Sequence, residues 1–245
     1  NPEVAHQAQH AESAQGIHRL RETASTGIQV QLIDTARVCR SAVDPAIVAV
    51  KRHERGLIVN IDYAFGEQAE HILRNLLMLF GANVRSVSLL GKAGGLVGER
   101  GDLLVPTAFV EQTGDRYYAM PDAFVSGMDD TVRRLQERLP SGRVHAGPMF
   151  TVDGTLLQNR VMLRFYRYIW RCIGMEMEGA YYFRQFQEAE NVGLIPHDVA
   201  AGFYYYVSDV PLKPKESLAA RLLPAEGVPP LYAITRHVLA SILHH

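Results

Sequence analysis

Three carboxylates and one lysine sit where residue type and spacing could support chemistry. Glu176 and Glu178 alternate with Met175 and Met177 at the end of an apolar run, Trp170 to Met177. If a strand ends here, alternate side chains share a face and both carboxylates point the same way. A carboxylate at the buried end of a strand is costly without a partner. Ligand hydroxyls could supply one, because an ionised carboxylate accepts several hydrogen bonds. The alternative is a helix N-terminus. Ala180 to Ala189 has an amphipathic helical pattern, and acids just before a helix satisfy its free N–H groups. Spacing alone leaves both readings open.

Asp209 follows Ser208 at the end of a second apolar stretch and precedes Val210-Pro211. It reads either as an ordinary loop acid or as an acid buried beside Tyr206. Burial would raise its pKa towards proton donation. Gly91, Gly94 and Gly95 follow a strand end directly, where backbone can approach a ligand closely. Lys92 lies within that turn. A cation among exposed N–H groups makes an oxyanion site, unless the ammonium is simply solvated.

Elements able to hold these groups recur along the chain. Residues 5 to 22 suit a surface helix or arm, and Ile28 to Val38 alternates as a strand. Ala46 to Val50 and Leu57 to Ile61 flank His53-Glu54-Arg55-Gly56 as a hairpin. Helical spacing follows over Ala69, Ile72, Leu73, Leu76, Leu77 and Phe80, ended by Gly81. With the strand Val84 to Leu90, this predicts a right-handed crossover within one parallel or mixed sheet.

Leu103 to Val110 continues the sheet, and Asp122 to Leu139 is an amphipathic helix stopped by Pro140. Val144 to Val152 is a strand leading to Asp153-Gly154-Thr155, and Leu156 to Tyr168 a helix edged by Arg160, Arg164 and Arg167. Ala201 to Val207, with Tyr204, Tyr205 and Tyr206, is a packed strand. Pro211, Pro214, Pro224, Pro229 and Pro230 punctuate a loop and a short helix, Leu231 to Leu243 closes the chain, and His244-His245 resembles a tag. Alternating strands and helices of this kind predict an α/β sandwich with its site at the carboxyl edge of the strands.

Composition narrows the partners. The chain has 245 residues, 47% hydrophobic and 21% charged, with a net charge of -1. That is enough to bury a sizeable globular core, and it gives a nucleic-acid partner no electrostatic footprint. The only cysteines, Cys39 and Cys172, form neither a disulfide framework nor a metal spacing, which suits a reducing, cytoplasmic setting. No signal peptide and no membrane-spanning run is evident. No metal or cofactor is expected. The chain begins at Asn1 without a methionine, as a trimmed chain or a part of a longer one would.

Met175-Glu176-Met177-Glu178-Gly179-Ala180 resembles the Met-Glu-Met-Glu-Gly-Ala signature of the nucleoside phosphorylase/nucleosidase superfamily. That group includes purine nucleoside phosphorylases, uridine phosphorylases and methylthioadenosine/S-adenosylhomocysteine nucleosidases. Gly91-Lys92-Ala93-Gly94-Gly95-Leu96 with Gly101-Asp102-Leu103-Leu104-Val105-Pro106, and then Tyr206-Val207-Ser208-Asp209, resemble further blocks of the family in the same order. The resemblance covers roughly residues 56 to 243. It implies a three-layer α/β sandwich, a central mixed β-sheet flanked by helices, over residues 46–245. Residues 1–45 form an N-terminal arm and strand outside it.

The resemblance also implies roles. Glu178 would hold the ribose hydroxyls with Met177 packed on the sugar, Glu176 would be a neighbouring acid of variable role, and Asp209 would protonate or hydrogen-bond the departing base. Gly91, Lys92, Gly94, Gly95, Asp62, Tyr63 and Ser208 would form the loops on the base and phosphate side. Departures stand beside these matches. Leu89 replaces the arginine of phosphorolytic members, Lys92 replaces the phosphate-binding Ser or Thr, and Asp62-Tyr63-Ala64 replaces a Gly-x-Gly turn. Thr155 stands where a base-stacking Phe is common. No N-terminal strand offers the phosphate-binding Gly and Arg, or the nucleosidase Met-Glu-Glu-Glu.

The expectation is an enzyme that cleaves the N-glycosidic bond of a small nucleoside by hydrolysis, with Asp62 activating the water. The alternatives are phosphorolysis of a purine nucleoside, with phosphate as a further ligand, and a nucleoside- or nucleotide-binding module without turnover. A pure oligomerising scaffold would leave Glu178 and Asp209 without a reason for being together. The resemblance implies a homo-oligomer.

Overall fold

The computed structural model of the chain describes residues 10–20, 28–39, 41, 43–47, 56–62, 64, 66–113, 116–154, 159–213 and 223–244. The chain divides into two compact units, Asn1–Ala64 with Leu239–His245, and Phe65–Val238.

The first unit holds a three-stranded antiparallel sheet of β1 (Ile17–Leu20), β2 (Val30–Asp34) and β3 (Leu57–Ile61) in that order. Val30 pairs with Ile61 and Asp34 with Leu57. The strand expected over 28–38 is therefore β2, and part of the expected arm, residues 17–20, is strand β1 rather than helix. β3 pairs with β2, and residues 48–55 of the expected hairpin lie outside the described residues. Asp62 follows β3, its N–H bonded to the Gln29 carbonyl at 2.9 Å.

The second unit is a central mixed sheet flanked by helices, the three-layer arrangement expected. Its strands are β4 (Ser86–Gly95), β5 (Leu103–Glu111), β6 (Arg116–Ala119), β7 (Val144–Thr151), β8 (Gly174–Glu176) and β9 (Ala200–Asp209). They run in the order β6-β5-β7-β8-β4-β9, and β5 also pairs with β9, so five strands close into a ring. β4 and β9 are parallel, as are β5 and β7 and β7 and β8, whereas β8 meets β4 antiparallel. Because β3 and β4 belong to different sheets, the crossover predicted between them within one sheet does not form.

The helices are α1 (Gly66–Phe80), α2 (Asp122–Ser126), α3 (Met128–Arg138), α4 (Arg160–Tyr168), α5 (Gly179–Asn191) and α6 (Pro224–His244). The single helix predicted over 122–139 is split at Gly127, the residue with the lowest helix propensity there after proline. Pro229 and Pro230 lie inside α6 rather than in a loop.

Packing explains the layers. Leu73 and Leu77 of α1 bury against Phe186 and Ala189 of α5. Leu135 of α3 and Ile234 of α6 bury against Leu103, Val105 and Tyr204 of the sheet. Leu104, Phe109, Met149, Phe203, Tyr205 and Val207 fill the ring. Among the described residues no helix is long and apolar enough to cross a membrane.

Candidate active site

Strand β8 is only three residues long, and it ends at Glu176. Two residues later Glu178, with φ -139°, is the N-cap of α5. The acid pair therefore straddles a strand end and a helix start. The expectation of two carboxylates alternating on one strand is corrected, because the strand stops before Met177.

Glu176 is buried and satisfies the start of the helix. Its Oε2 accepts the Glu178 N–H at 2.7 Å and the Gly179 N–H as well. The Thr151 hydroxyl donates to Oε1, and the Tyr205 hydroxyl lies 3.4 Å from Oε2. Thr151 Oγ1 in turn accepts the Ala180 N–H at 3.1 Å. Burial raises the pKa of Glu176, and the donors from Thr151, Glu178, Gly179 and Tyr205 oppose the rise. The helix-terminus reading is the one Glu176 fulfils, since a carboxylate is favoured where orphan N–H groups converge.

Glu178 is different. Burial first, then the neighbouring charge of Glu176, pushes its pKa up to about 8, against the Met177 N–H and the charge of Lys92. Among the described residues it receives no side-chain donor. At neutral pH it is thus a protonated acid with one O–H to give and lone pairs to accept.

Bare backbone faces it. A Cβ on Gly91 would stand 3.5 Å from Oε1 of Glu178 and 2.9 Å from the Tyr205 ring. On the other side of Tyr205, a Cβ on Gly179 would meet its hydroxyl at 2.6 Å and Cε1 of Phe109 at 2.3 Å. Glycine is required at both by close approach. Lys92, next on β4, is exposed.

Asp209 ends β9. Register shifts between Ala93↔Val207 and Gly94↔Asp209, leaving Ser208 as the extra residue of a bulge. The Ser208 hydroxyl lies 2.8 Å from Oδ1 of Asp209 and 3.3 Å from the Ala93 carbonyl. A Cβ on Gly94 would stand 3.2 Å from Oδ2. Glu178 and Asp209 therefore approach β4 at Gly91 and Gly94, about 10 Å apart along the strand at its usual rise and on alternate faces of it.

The remaining candidates are dispersed. The Met177 carbonyl accepts the Gly66 N–H at 3.1 Å, tying it to the start of α1, while its side chain packs on the cluster around Phe150 and Tyr166. Gly95 makes room for Val207, whose Cγ1 would lie 2.8 Å from a Cβ there. Asp62 belongs to the first unit, and Tyr63 and Thr155 lie outside the described residues. Sequence reasoning missed Thr151 and Tyr205. A polar residue ending an apolar strand was the only signal for Thr151, and Tyr205 was read as packing alone. Among the described residues no group of three or more His, Cys, Asp or Glu is placed to hold a metal.

Solved structures share this architecture. The 5′-methylthioadenosine/S-adenosylhomocysteine nucleosidase of Neisseria meningitidis, in complex with methylthio-immucillin-A, is similar with a TM-score of 0.63 at 13% identity, over 94% of this chain and 92% of that one. The native futalosine hydrolase of Helicobacter pylori has a TM-score of 0.62 at 13% identity, over 91% and 87%. A methylthioadenosine phosphorylase from an antarctic soil metagenomic library has a TM-score of 0.54 at 14% identity, over 71% and 63%. The chain thus has the nucleoside phosphorylase/nucleosidase fold. No curated protein matches it. Residues 1–244 match the sequence model of a family of unknown function, DUF6909, and the chain belongs to that family.

Proposed function

We propose that this member of the DUF6909 family cleaves the N-glycosidic bond of a small nucleoside by hydrolysis. The observation that carries the reading is the contrast within the acid pair. Glu176 is saturated by protein donors, while Glu178, beside Gly91, is left with capacity for a ligand.

Breaking the bond sends its electron pair to the base nitrogen, which needs a proton, and leaves an oxocarbenium-like sugar. Asp209 supplies the proton. Glu178 passes its proton to solvent as the site fills, and the carboxylate left accepts hydrogen bonds from the ribose hydroxyls and stabilises the positive sugar. Water then adds its oxygen to C1′, and the proton it releases returns Asp209 to the acid form. Ser208, bonded to Asp209, sets the orientation of that carboxyl.

Hydrolysis is favoured over phosphorolysis because Leu89, where phosphorolytic relatives carry arginine, packs against the core of the ring and offers no cation. Product analysis with adenosine, methylthioadenosine, inosine and uridine, with and without phosphate, tests this. Base released only in the presence of phosphate would replace hydrolysis with phosphorolysis. Nucleoside binding by calorimetry without any base release would make the chain a binding module. Light scattering at working concentration tests the homo-oligomer that the resemblance implies.

A further inference from the structure

A second polar cleft opens at the other end of β7. It has a volume of about 780 Å³, and its walls include Arg100, Arg143, Arg167, His145, Glu99 and Asp102. His145 stands near the start of β7 and Thr151 at its end, roughly 20 Å apart at the usual strand rise, while Val97 on another wall donates its N–H to the Ile173 carbonyl at 2.9 Å, just before β8.

The acids in this cleft are already occupied. Asp102 is buried; its Oδ1 accepts the Arg143 N–H at 2.9 Å, and its Oδ2 accepts the Glu99 N–H at 3.0 Å and meets His145 Nε2 at 2.9 Å. Burial works to raise its pKa, but the bonds from His145, Glu99 and Arg143 outweigh it and hold the carboxyl below its usual range. Two glycines let the backbone close around it. Gly98 at φ +74° and Gly142 at φ +98° would carry a Cβ within 2.5 Å and 2.9 Å of its oxygens. Glu99 is engaged by Lys213, and Arg100 lies 3.8 Å from Glu226.

The arginines are only partly matched. Arg143 and Arg167 have no carboxylate partner among the described residues. The described lining has one apolar side chain larger than glycine, Val97, and no aromatic ring besides the His145 imidazole. It offers guanidinium groups and backbone, with nothing to stack a base or bury an acyl chain.

We propose that this cleft binds a small phosphate oxyanion, inorganic phosphate or diphosphate, through Arg143 and Arg167. The planar fork of a guanidinium matches phosphate oxygens two at a time, and two such groups favour a multiply charged anion over chloride. The carbonyl of Asp102, on its wall, accepts the Val207 N–H at 2.9 Å, two residues before Asp209, but the proposal does not depend on the nucleoside reading.

Calorimetric titration of diphosphate into the full chain, at fixed ionic strength, tests it. One saturable site is expected, weakened at least about tenfold in Arg143→Gln/Arg167→Gln and unchanged in Lys92→Met. Both arginines line an open cleft, and an unchanged circular dichroism melt checks that the variant folds. No saturable heat overturns the proposal. So does binding that vanishes in Lys92→Met but survives in the arginine variant, which would move the anion to the candidate active site. ADP is expected to bind here no more tightly than diphosphate. A tenfold advantage for ADP that the arginine variant abolishes would replace the bare oxyanion with a nucleotide.

Discussion

The backbone N–H of Glu178 lies 2.7 Å from Oε2 of Glu176 and donates to it. That contact separates two acids of the same type, two positions apart. Glu176 becomes the cap of α5, with its charge spread over several donors. Glu178 is left beside that charge, partly buried, with its pKa pushed up to about 8. The pair therefore divides into one carboxyl held by protein donors and one with hydrogen-bonding capacity left over.

A pH signature follows for Glu178. Its pKa is raised from 4.5 to about 8, so between those values the folded chain holds a proton that the unfolded chain has lost. Stability from this group is complete below pH 4.5 and is lost as pH rises through about 8. Thermal unfolding across that window should show the decline, and Glu178→Gln should flatten it. The same variant should lose sugar-dependent affinity and turnover together, by roughly 1.5–3 kcal/mol for a charge-assisted bond. Unchanged kinetics would remove Glu178 from the site.

Thr151 should matter for stability through Glu176. Thr151→Val removes the hydroxyl that donates to the buried carboxylate and accepts the Ala180 N–H. Leaving buried polar groups unsatisfied costs about 1–3 kcal/mol each. Chemical denaturation should show a loss in that range, and a loss below experimental error would mean that water replaces the hydroxyl.

His237 supplies the acid limb. Burial, then the charges of Arg138 and Arg134, lowers its pKa from 6.5 to about 4, and its ring lies edge-on to Tyr204 at 5.1 Å. Between those values the unfolded chain binds a proton that the folded chain does not. Stability from this source is present above pH 6.5 and falls as pH drops through about 4. His237→Phe, which keeps a ring there, should remove that part of the acid slope; an identical slope would assign it to carboxylates.

Much of this was legible in sequence. The helical stripe of α1, the strands β5, β7 and β9 and the acid-bearing junction follow from period and punctuation. The sheet partners were not legible. β3 reads like any strand feeding a crossover, and its pairing with β2 is a long-range choice that local pattern does not encode. The division of labour in the acid pair was hidden for a similar reason. Glu176 and Glu178 look equivalent until Thr151 and Tyr205, distant in sequence, arrive with hydroxyls for one of them only. The bulge at Ser208 likewise depends on how β9 registers against β4.

Asp209 is the residue on which the proposed chemistry turns. Its carboxyl bonds Ser208 and approaches Gly94, beside Met175 and Pro211. If it protonates the departing base, Asp209→Asn keeps the shape and much of the binding but has no proton to give. General acid catalysis contributes about 10²–10⁴-fold, so kcat should fall by that order while KM changes little. A nitrophenyl riboside separates chemistry from structure, because its leaving group departs without a proton. Its hydrolysis should be slowed far less than that of a purine nucleoside. Equal slowing of both substrates would show that Asp209 holds the site together and that another group supplies the proton.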